Sequence, residues 1–301
     1  MLEEYIDIVV NAYSGYAQYL LDEITLNYDY KPFWQNYFYG LVLVSLFFLG
    51  LEAFAPWRKN QRLLRKDFWL DAFYMFFNFF LFSLIIYNAA SDVFVNLFKD
   101  FLGVFGFKNV VAVHLDSWPV WGQLLSLFFI RDFIHWWVHR LLHKVPFLWE
   151  FHKVHHSVEQ MGFAAHLRYH WMENVVYRSL EYLPLAMIGF GIDDFFYVHL
   201  FTLFAGHFNH SNIRLNLGPL RYFFNNPQMH IWHHAYDIPK GVSGVNFGLT
   251  LSIWDYLFKT AYVPSNGRDI RLGFPGIEEF PDSFAAQNIH GLAKKPTDTS
   301  S

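Results

Sequence analysis

The segments FHKVHHS, residues 151–157, and MHIWHH, residues 229–234, share the pattern His-x-x-His-His. In each copy, offsets of three and four residues place the three histidines on one face of a helix. Neutral imidazoles that are packed together need a partner for their lone pairs, and a metal ion is the usual one. Two copies of this pattern in one chain therefore predict a metal site.

Further histidines surround the two copies, since fourteen of the 16 histidines fall between residues 135 and 234. The segment RDFIHWWVHRLLH, residues 131–143, repeats histidine every four residues, although three interfacial histidines at the end of a membrane helix are an equal alternative. For His207 and His210 the alternative is a plain polar residue at a helix end. His166 and His170 are interpreted as contacts of the substrate or of the ligands. His114, His199 and His290 are interpreted as structural or surface residues.

The number of imidazoles indicates the kind of site. A catalytic zinc ion takes three protein ligands and a water, whereas this chain offers nine or ten histidines, which suits two metal ions with open positions. The H-E-x-x-H motif of metalloproteases and the paired Glu-x-x-His motifs of ferritin-like bundles are missing. The absence of cysteine excludes thiolate-bound haem and cysteine-held iron–sulfur clusters. Haem held by paired histidines remains an alternative, and it predicts single histidines at mid-span.

The composition is that of a membrane protein: 54% of the residues are hydrophobic and 16% are charged, against about 25% charged in soluble domains. Runs of about 20 apolar residues can cross a bilayer, and they occur at 37–55, 68–89 and 120–138. A fourth apolar stretch, 174–206, is interrupted by glycine and aspartate and predicts a helical hairpin. The fold class is therefore predicted as all-α, a polytopic membrane protein with four to five transmembrane or re-entrant helices and a cytoplasmic histidine-rich cap.

The distribution of lysine and arginine sets the predicted orientation. The loop at 56–66 carries five basic residues, which predicts that it is cytoplasmic and that all the histidine clusters lie on that side. Three regions are expected: a membrane anchor with two transmembrane helices at 1–117, a catalytic domain at 118–262, and a polar C-terminal tail at 263–301. The net charge of −4 gives no basic surface for nucleic acid.

Between about residues 128 and 262 the chain resembles the fatty acid hydroxylase/sterol desaturase superfamily of membrane di-iron enzymes. The motifs that carry this resemblance are Asp132 with His139, Arg140 and His143; Trp149 with His152, His155, His156 and Ser157; His210 with Ser211 and Asn212; His230, His233 and His234; Asn246, Phe247 and Gly248; and Trp254, Asp255, Leu257, Phe258 and Thr260. The segments VHL, 198–200, and LGPL, 217–220, are similar to the alkylglycerol monooxygenase branch, which hydroxylates ether lipids with a pterin. The segment YDIPKGVSGVNFG, 236–248, departs from that branch.

The resemblance implies two iron ions, with O2 as co-substrate and an external electron donor: ferredoxin, cytochrome b5 or a pterin. It implies the metal ligands His139, His143, His152, His155, His156, His210, His230, His233 and His234, with His207 as the candidate tenth. It also makes Asn246 and Asp255 candidates for the catalytic set. Asp132 joins them because an ionisable residue at membrane depth is a functional candidate, and it is expected to orient His139 or His135.

The function expected from these observations is hydroxylation of a lipid C–H bond in a membrane. Two alternative functions are considered. A lipid or sterol desaturase on the same di-iron site is the first, and sequence does not separate it from a hydroxylase. A metal transporter with a histidine relay is the second, and it predicts histidines along a mid-span pathway. The expected partners are a lipid substrate, the membrane and a separate redox protein. The expected location is a bacterial inner membrane with the active site on the cytoplasmic side.

Overall fold

The computed structural model describes residues 2–29, 31–82, 104, 115–190, 192–215 and 217–292. Helices α1 to α11 run, in order, over Leu2–Thr25, Tyr37–Phe54, Phe68–Phe76, Val120–Lys144, Pro146–His156, Trp171–Tyr177, Leu183–Ile188, Ile192–His210, Pro227–His233, Ile253–Leu257 and Phe284–Ile289. Short 3-10 or π turns cover Phe33–Gln35, Phe77–Leu81, Leu115–Ser117, Phe163–Leu167, Arg178–Tyr182, Gly218–Tyr222 and Ile277–Glu279. Within the described ranges, extended pairing is limited to three isolated bridges. The predicted all-α class is confirmed there.

Helix α2 is the one described helix that is long and apolar enough to cross a membrane, with 18 residues and a mean hydropathy of 1.8. At 1.5 Å per residue it is about 27 Å long, close to the thickness of a bilayer core. The apolar segment Phe68–Leu81 is shorter, and residues 83–89 of the predicted second span and most of the loop that follows it lie outside the described residues. The predicted total of four to five membrane helices stays a prediction.

Helix α4 covers the whole of the predicted third span, including the two charged residues within it. Arg131 donates to Glu181 and to the hydroxyl of Thr202, and Asp132 accepts from three N–H donors. Both side chains are buried. Because each charge is bonded inside the protein, an apolar environment around this helix is tolerable.

The predicted hairpin at 174–206 corresponds to two helical arms. The first arm consists of α6, the π turn and α7, and it ends where Gly189 adopts a left-handed φ of 119°. Glycine is suited to this position because it has no Cβ to clash. The second arm is α8, which continues beyond the predicted end as far as His210.

Helix α8 lies at the centre of the described part of the fold and packs against α2, α4, α9 and the turn Phe163–Leu167. Glu52, near the end of α2, is buried, and its Oε1 accepts from the backbone N–H groups of Phe163 and Asn212 at 2.8 and 2.7 Å. The carboxylate of Glu52 thus links α2, the candidate membrane span, to the turn that contains His166 and to the residues that follow His210.

The part of the predicted C-terminal tail that the structure describes, 263–292, packs against the helices. Gln287 is fully buried and bonds Tyr74 of α3, and the carbonyl of Asn288 is 2.8 Å from Nε2 of His170. Aromatic contact is made between Phe274 and Trp149, which precedes the first His-x-x-His-His copy. Residues beyond 292, including most of the polar end, lie outside the described ranges.

Gly206 of α8 provides a test of this packing, because a Cβ at that position would lie 2.0 Å from Nε2 of His166. We expect Gly206→Ala to lower the free energy of unfolding by about 1–3 kcal/mol, as overpacked cores do. The control is Gly50→Ala in α2, where a Cβ meets nothing within 4 Å. Thermal unfolding of both purified variants measures the effect. Equal melting temperatures for the two variants would contradict the close approach of His166 to α8.

Candidate metal centre

Four helices deliver histidines to one buried region. His139 and His143 lie four residues apart on α4, the first His-x-x-His-His copy ends α5, and the second ends α9. His210 is the last residue of α8. Pro146 and Pro227 begin α5 and α9 at positions where proline is favoured, so the local sequence starts each short helix just before its histidines.

The nine histidines form two groups, and within each group the possible ligand atoms all lie within 4.8 Å of one another. Group one consists of His139, His143, His152, His156 and His233. Group two consists of His155, His210, His230 and His234. All nine are buried. Each His-x-x-His-His copy contributes to both groups, which makes them neighbours.

Most of these rings contact, at Nδ1, an oxygen that accepts a hydrogen bond; it is a backbone carbonyl in five rings and, in its ionised form, the carboxylate of Glu173 in the sixth. The contacts are His139 to the carbonyl of Phe247 (2.7 Å), His143 to Ser243 (3.3 Å), His233 to Val245 (2.8 Å), His155 to Arg168 (3.1 Å), His210 to Gly206 (2.7 Å), and His152 to the carboxylate of Glu173 (2.8 Å). An Nδ1 that donates leaves the lone pair of a neutral ring on Nε2. These partners therefore fix one tautomer in six rings.

The Nε2 atoms of these rings face each other. His139 and His152 are 3.2 Å apart at Nε2, and His155 and His210 are 3.3 Å apart. In both pairs each ring already donates through Nδ1, so two lone pairs point at one another with no proton between them. Such an arrangement is repulsive unless a cation lies between the nitrogens.

The spacing fits a bound ion. Two nitrogens that each bind one ion at about 2.1 Å lie roughly 3.0–3.4 Å apart at right-angled or tetrahedral geometry, and further Nε2 pairs lie at 3.0 Å (His210 and His230) and 3.1 Å (His143 and His156). The Nδ1 atoms of His230 and His234 are buried without a hydrogen-bond partner among the described residues. Burial lowers the pKa of His155 to about 4, so this ring is neutral at pH 7 and its lone pair is available. The two groups are compatible with a metal site.

The candidate tenth ligand, His207, lies in neither group. Its Nδ1 is 2.9 Å from Nδ1 of His166, and its Nε2 is 3.2 Å from the hydroxyl of Ser45 on α2. His166 lies beside group two, with its ring centroid 5.3 Å from that of His210. His135 stacks on Tyr177.

The remaining histidines have partners away from the two groups. His170 bonds the carbonyl of Asn288, His199 bonds Tyr182, and His290 bonds Glu150. His114 lies outside the described residues. His199 also lines the cavity beside the two groups, whereas His170 serves the packing of the C-terminal segment and the N-cap of α6.

The three predicted catalytic residues bond the loop that supplies the carbonyl partners. Asp132 accepts from the backbone of Thr250 and Leu251 and from the indole of Trp254. The two ring nitrogens that it was expected to orient have other partners, since Nδ1 of His135 contacts Glu181 and Nδ1 of His139 contacts Phe247.

Asp255 and Asn246 act on the same loop. Asp255 accepts from Phe247 N, Gly248 N, the indole of Trp136 and the hydroxyl of Thr260. Asn246 has a left-handed φ of 54°, and its side chain bonds Met229 and Tyr262. Since the carbonyls of Val245 and Phe247 hold His233 and His139, these two side chains position ligands through the backbone.

Two glutamates that motif spacing did not identify contact the histidine region. Glu173 of α6 bonds Nδ1 of His152, and Glu181 bonds His135 and Arg131. A buried carboxylate that bonds the far nitrogen of a candidate ligand orients that ring. Neither glutamate lies in a histidine motif.

A cavity of about 400 Å³ adjoins both groups. Its wall includes His139 and His152 of group one and His155, His210 and His230 of group two. The rest of the wall includes residues of α1, α2, the π turn after α3, α6, the π turn Arg178–Tyr182 and α8, with many aromatic side chains. A ligand in this cavity contacts both histidine groups at once.

A substitution of Asp255 tests whether the loop at 243–248 orients the candidate metal ligands. We expect Asp255→Asn to weaken metal binding by about 10–100-fold, the usual effect of losing a partner that orients a ligand. The control is Asp269→Asn, because Asp269 is exposed and pairs with Arg268 at the surface. Competition between a chelator and the protein for Zn²⁺ as a redox-silent probe gives both affinities. An unchanged affinity in Asp255→Asn would remove Asp255 from the metal centre.

Comparison with known proteins agrees with this geometry. Residues 124–260 match the family model named fatty acid hydroxylase. Ornithine lipid hydroxylase OlsE of Rhizobium tropici is 31% identical over 180 residues, 60% of this chain and 53% of its own length. Alkylglycerol monooxygenase of Homo sapiens is 36% identical over 140 residues, 45% of this chain and 29% of its own. Methylsterol monooxygenase 1-1 of Arabidopsis thaliana is 28% identical over 173 residues, with 56% and 54% covered.

The chain spans about half the length or less of these curated relatives. No solved structure matches the chain. The family match contains or borders every histidine of the two groups, and the resemblance that the histidine motifs suggested is confirmed. Residues 124–260 are therefore similar to the fatty acid hydroxylase family, and this similarity covers the part of the chain that holds both histidine groups.

Proposed function

We propose that this chain is a membrane-bound non-haem di-iron oxygenase that hydroxylates a C–H bond of a lipid, using O2 and electrons from a separate donor. The observation that carries the proposal is the opposition of Nε2 lone pairs in two buried groups that share one cavity. The proposed ligands are the nine histidines of groups one and two.

The choice of iron rests on chemistry. Imidazole suits zinc, copper, iron and nickel equally, but zinc has no redox chemistry. The relatives are named hydroxylases and monooxygenases, and a metal at this site that activates O2 must change oxidation state. Among the redox-active metals, iron is the one that the resemblance of the histidine motifs implies. When bound, two iron ions would supply the activation of O2 and the oxidation of the C–H bond.

The chain's own residues hold and orient this chemistry. The carbonyls of the 243–247 loop and the carboxylate of Glu173 fix the ring tautomers. The largely apolar cavity wall would place a substrate beside both groups. No side chain needs to act as a nucleophile.

Electrons come from outside in this proposal. The chain has no cysteine for an iron–sulfur cluster and no G-x-G-x-x-G motif for a dinucleotide. The donor is a ferredoxin, a cytochrome b5 or a pterin. The basic loop at 56–66 lies at the histidine end of α2, since Arg58 bonds the carbonyl of Met161 close to the first His-x-x-His-His copy. This supports an active site on the cytoplasmic side, in a bacterial inner membrane.

The function is tested by lipid analysis under ¹⁸O2. A host that expresses the intact protein is expected to accumulate a lipid that has gained one labelled oxygen atom. His155→Ala, which removes a group-two ligand, is expected to abolish that product. The control is His290→Ala, because His290 bonds Glu150 away from both groups.

The outcomes separate the alternatives. A product that has lost two hydrogens and gained no oxygen identifies a desaturase. Identical lipid profiles for the intact protein and His155→Ala, with iron bound to the intact protein, contradict an oxygenase of either kind.

A further inference from the structure

One side chain in the cavity wall is left with an unused acceptor. Glu173 is 2% exposed, and its Oε2 is 2.8 Å from Nδ1 of His152. Its other oxygen, Oε1, is buried and has no hydrogen-bond partner among the described residues. Because Glu173 lines the cavity, a bound molecule can reach this oxygen.

The neighbouring polar groups are engaged with each other. The amide of Asn174 donates to Oδ1 of Asn78 at 3.0 Å, and the amide of Asn78 donates to the carbonyls of Leu167 and Tyr169. The hydroxyl of Tyr169 donates to Asn174. Asn78, Tyr169 and Asn174 thus direct these polar groups at one another and at backbone carbonyls, and not at Glu173.

An unsatisfied buried oxygen of this kind carries a free-energy cost, which is larger when the group is charged. The N–H of His152 and cations in the adjacent histidine group would favour the ionised form of Glu173. An ionised carboxylate oxygen accepts hydrogen bonds and does not donate them. A ligand therefore recovers the cost when it brings an O–H or N–H group to Oε1. A plain alkyl chain at this position leaves the cost in place.

The charge of the cavity selects among donors. Two arginines, Arg131 and Arg178, and two glutamates, Glu173 and Glu181, line it, so their formal charges cancel. Metal cations in the histidine groups make the total positive. A neutral donor is thus favoured over an ammonium group.

We propose that Glu173 Oε1 accepts a hydrogen bond from a neutral O–H or amide N–H group of the substrate. This rests on the proposed function and narrows it: the substrate is a lipid that carries a neutral donor close to the oxidised carbon. The donor is close because the same carboxylate bonds His152, a member of group one. Glu173 is then a residue that determines specificity as well as the orientation of His152.

The test measures binding without turnover, on iron-loaded protein in nanodiscs kept free of O2. Native mass spectrometry compares hexadecanol with hexadecyl methyl ether, and hexadecanamide with N,N-dimethylhexadecanamide. At least one donor is expected to bind about tenfold or more tightly than its capped partner, the equivalent of a hydrogen bond to a charged group. The two pairs show whether a hydroxyl or an amide is the preferred hydrogen-bond donor. Hexadecylamine tests whether a neutral donor is preferred over an ammonium group.

Glu173→Gln is the informative variant, because its amide oxygen still accepts from His152 while its amide nitrogen replaces Oε1. The preference for the donor is expected to disappear, with bound iron retained. Tyr169→Phe, which alters another polar group of the same wall, is expected to keep the preference.

The proposal is overturned if both capped analogues bind intact protein within twofold of their parents, a comparison that needs no variant. Tightest binding by hexadecylamine overturns the assignment of a neutral donor. Because the readout is anaerobic binding, it is independent of whether labelled oxygen enters a lipid.

Discussion

The repulsion between opposed imidazole lone pairs is the constraint on which this structure depends. Carbonyl and carboxylate acceptors fix the proton on Nδ1 of six rings, and the packing then brings Nε2 atoms within 3.0–3.3 Å of one another. No arrangement of protons on neutral rings satisfies His155 with His210 together with their Nδ1 partners, and the same holds for His139 with His152 when Glu173 is ionised. Cations at the two groups would convert the conflict into coordination.

Several buried polar side chains around this centre do not contact the histidines directly. They bond the backbone segments that orient the histidine rings. Asp132, Asp255 and Asn246 bond the 245–262 segment, and that segment presents the carbonyls that orient His139 and His233. Glu52 does the same for the turns on the other side. Buried polar residues far along the chain thus act on the ligands through one intermediate bond.

Much of the site could be predicted from sequence, because helical periodicity alone places His152, His155 and His156 on one face. The division of each His-x-x-His-His copy between two groups could not be predicted, since it depends on how α5 and α9 pack. His207 shows the same limit: three residues before His210 on α8, it is rotated by about 60°, enough to direct it to Ser45 and His166. Glu173 lies 17 residues beyond His156 in sequence, and only the return of α6 brings it to His152. The sequence also could not show whether α4 tolerates an apolar environment, because the partners of its charges, Arg131 and Asp132, lie far away in the chain.

The metal content of the purified protein tests the central claim most directly. Two iron ions per chain are expected in intact protein reconstituted with Fe²⁺ without O2, measured by mass spectrometry of the metal. His139→Ala, which alters group one, and His230→Ala, which alters group two, are each expected to retain about one. A content of one ion or none in the intact chain, or two ions in both variants, would contradict a pair of metal ions held by these histidines.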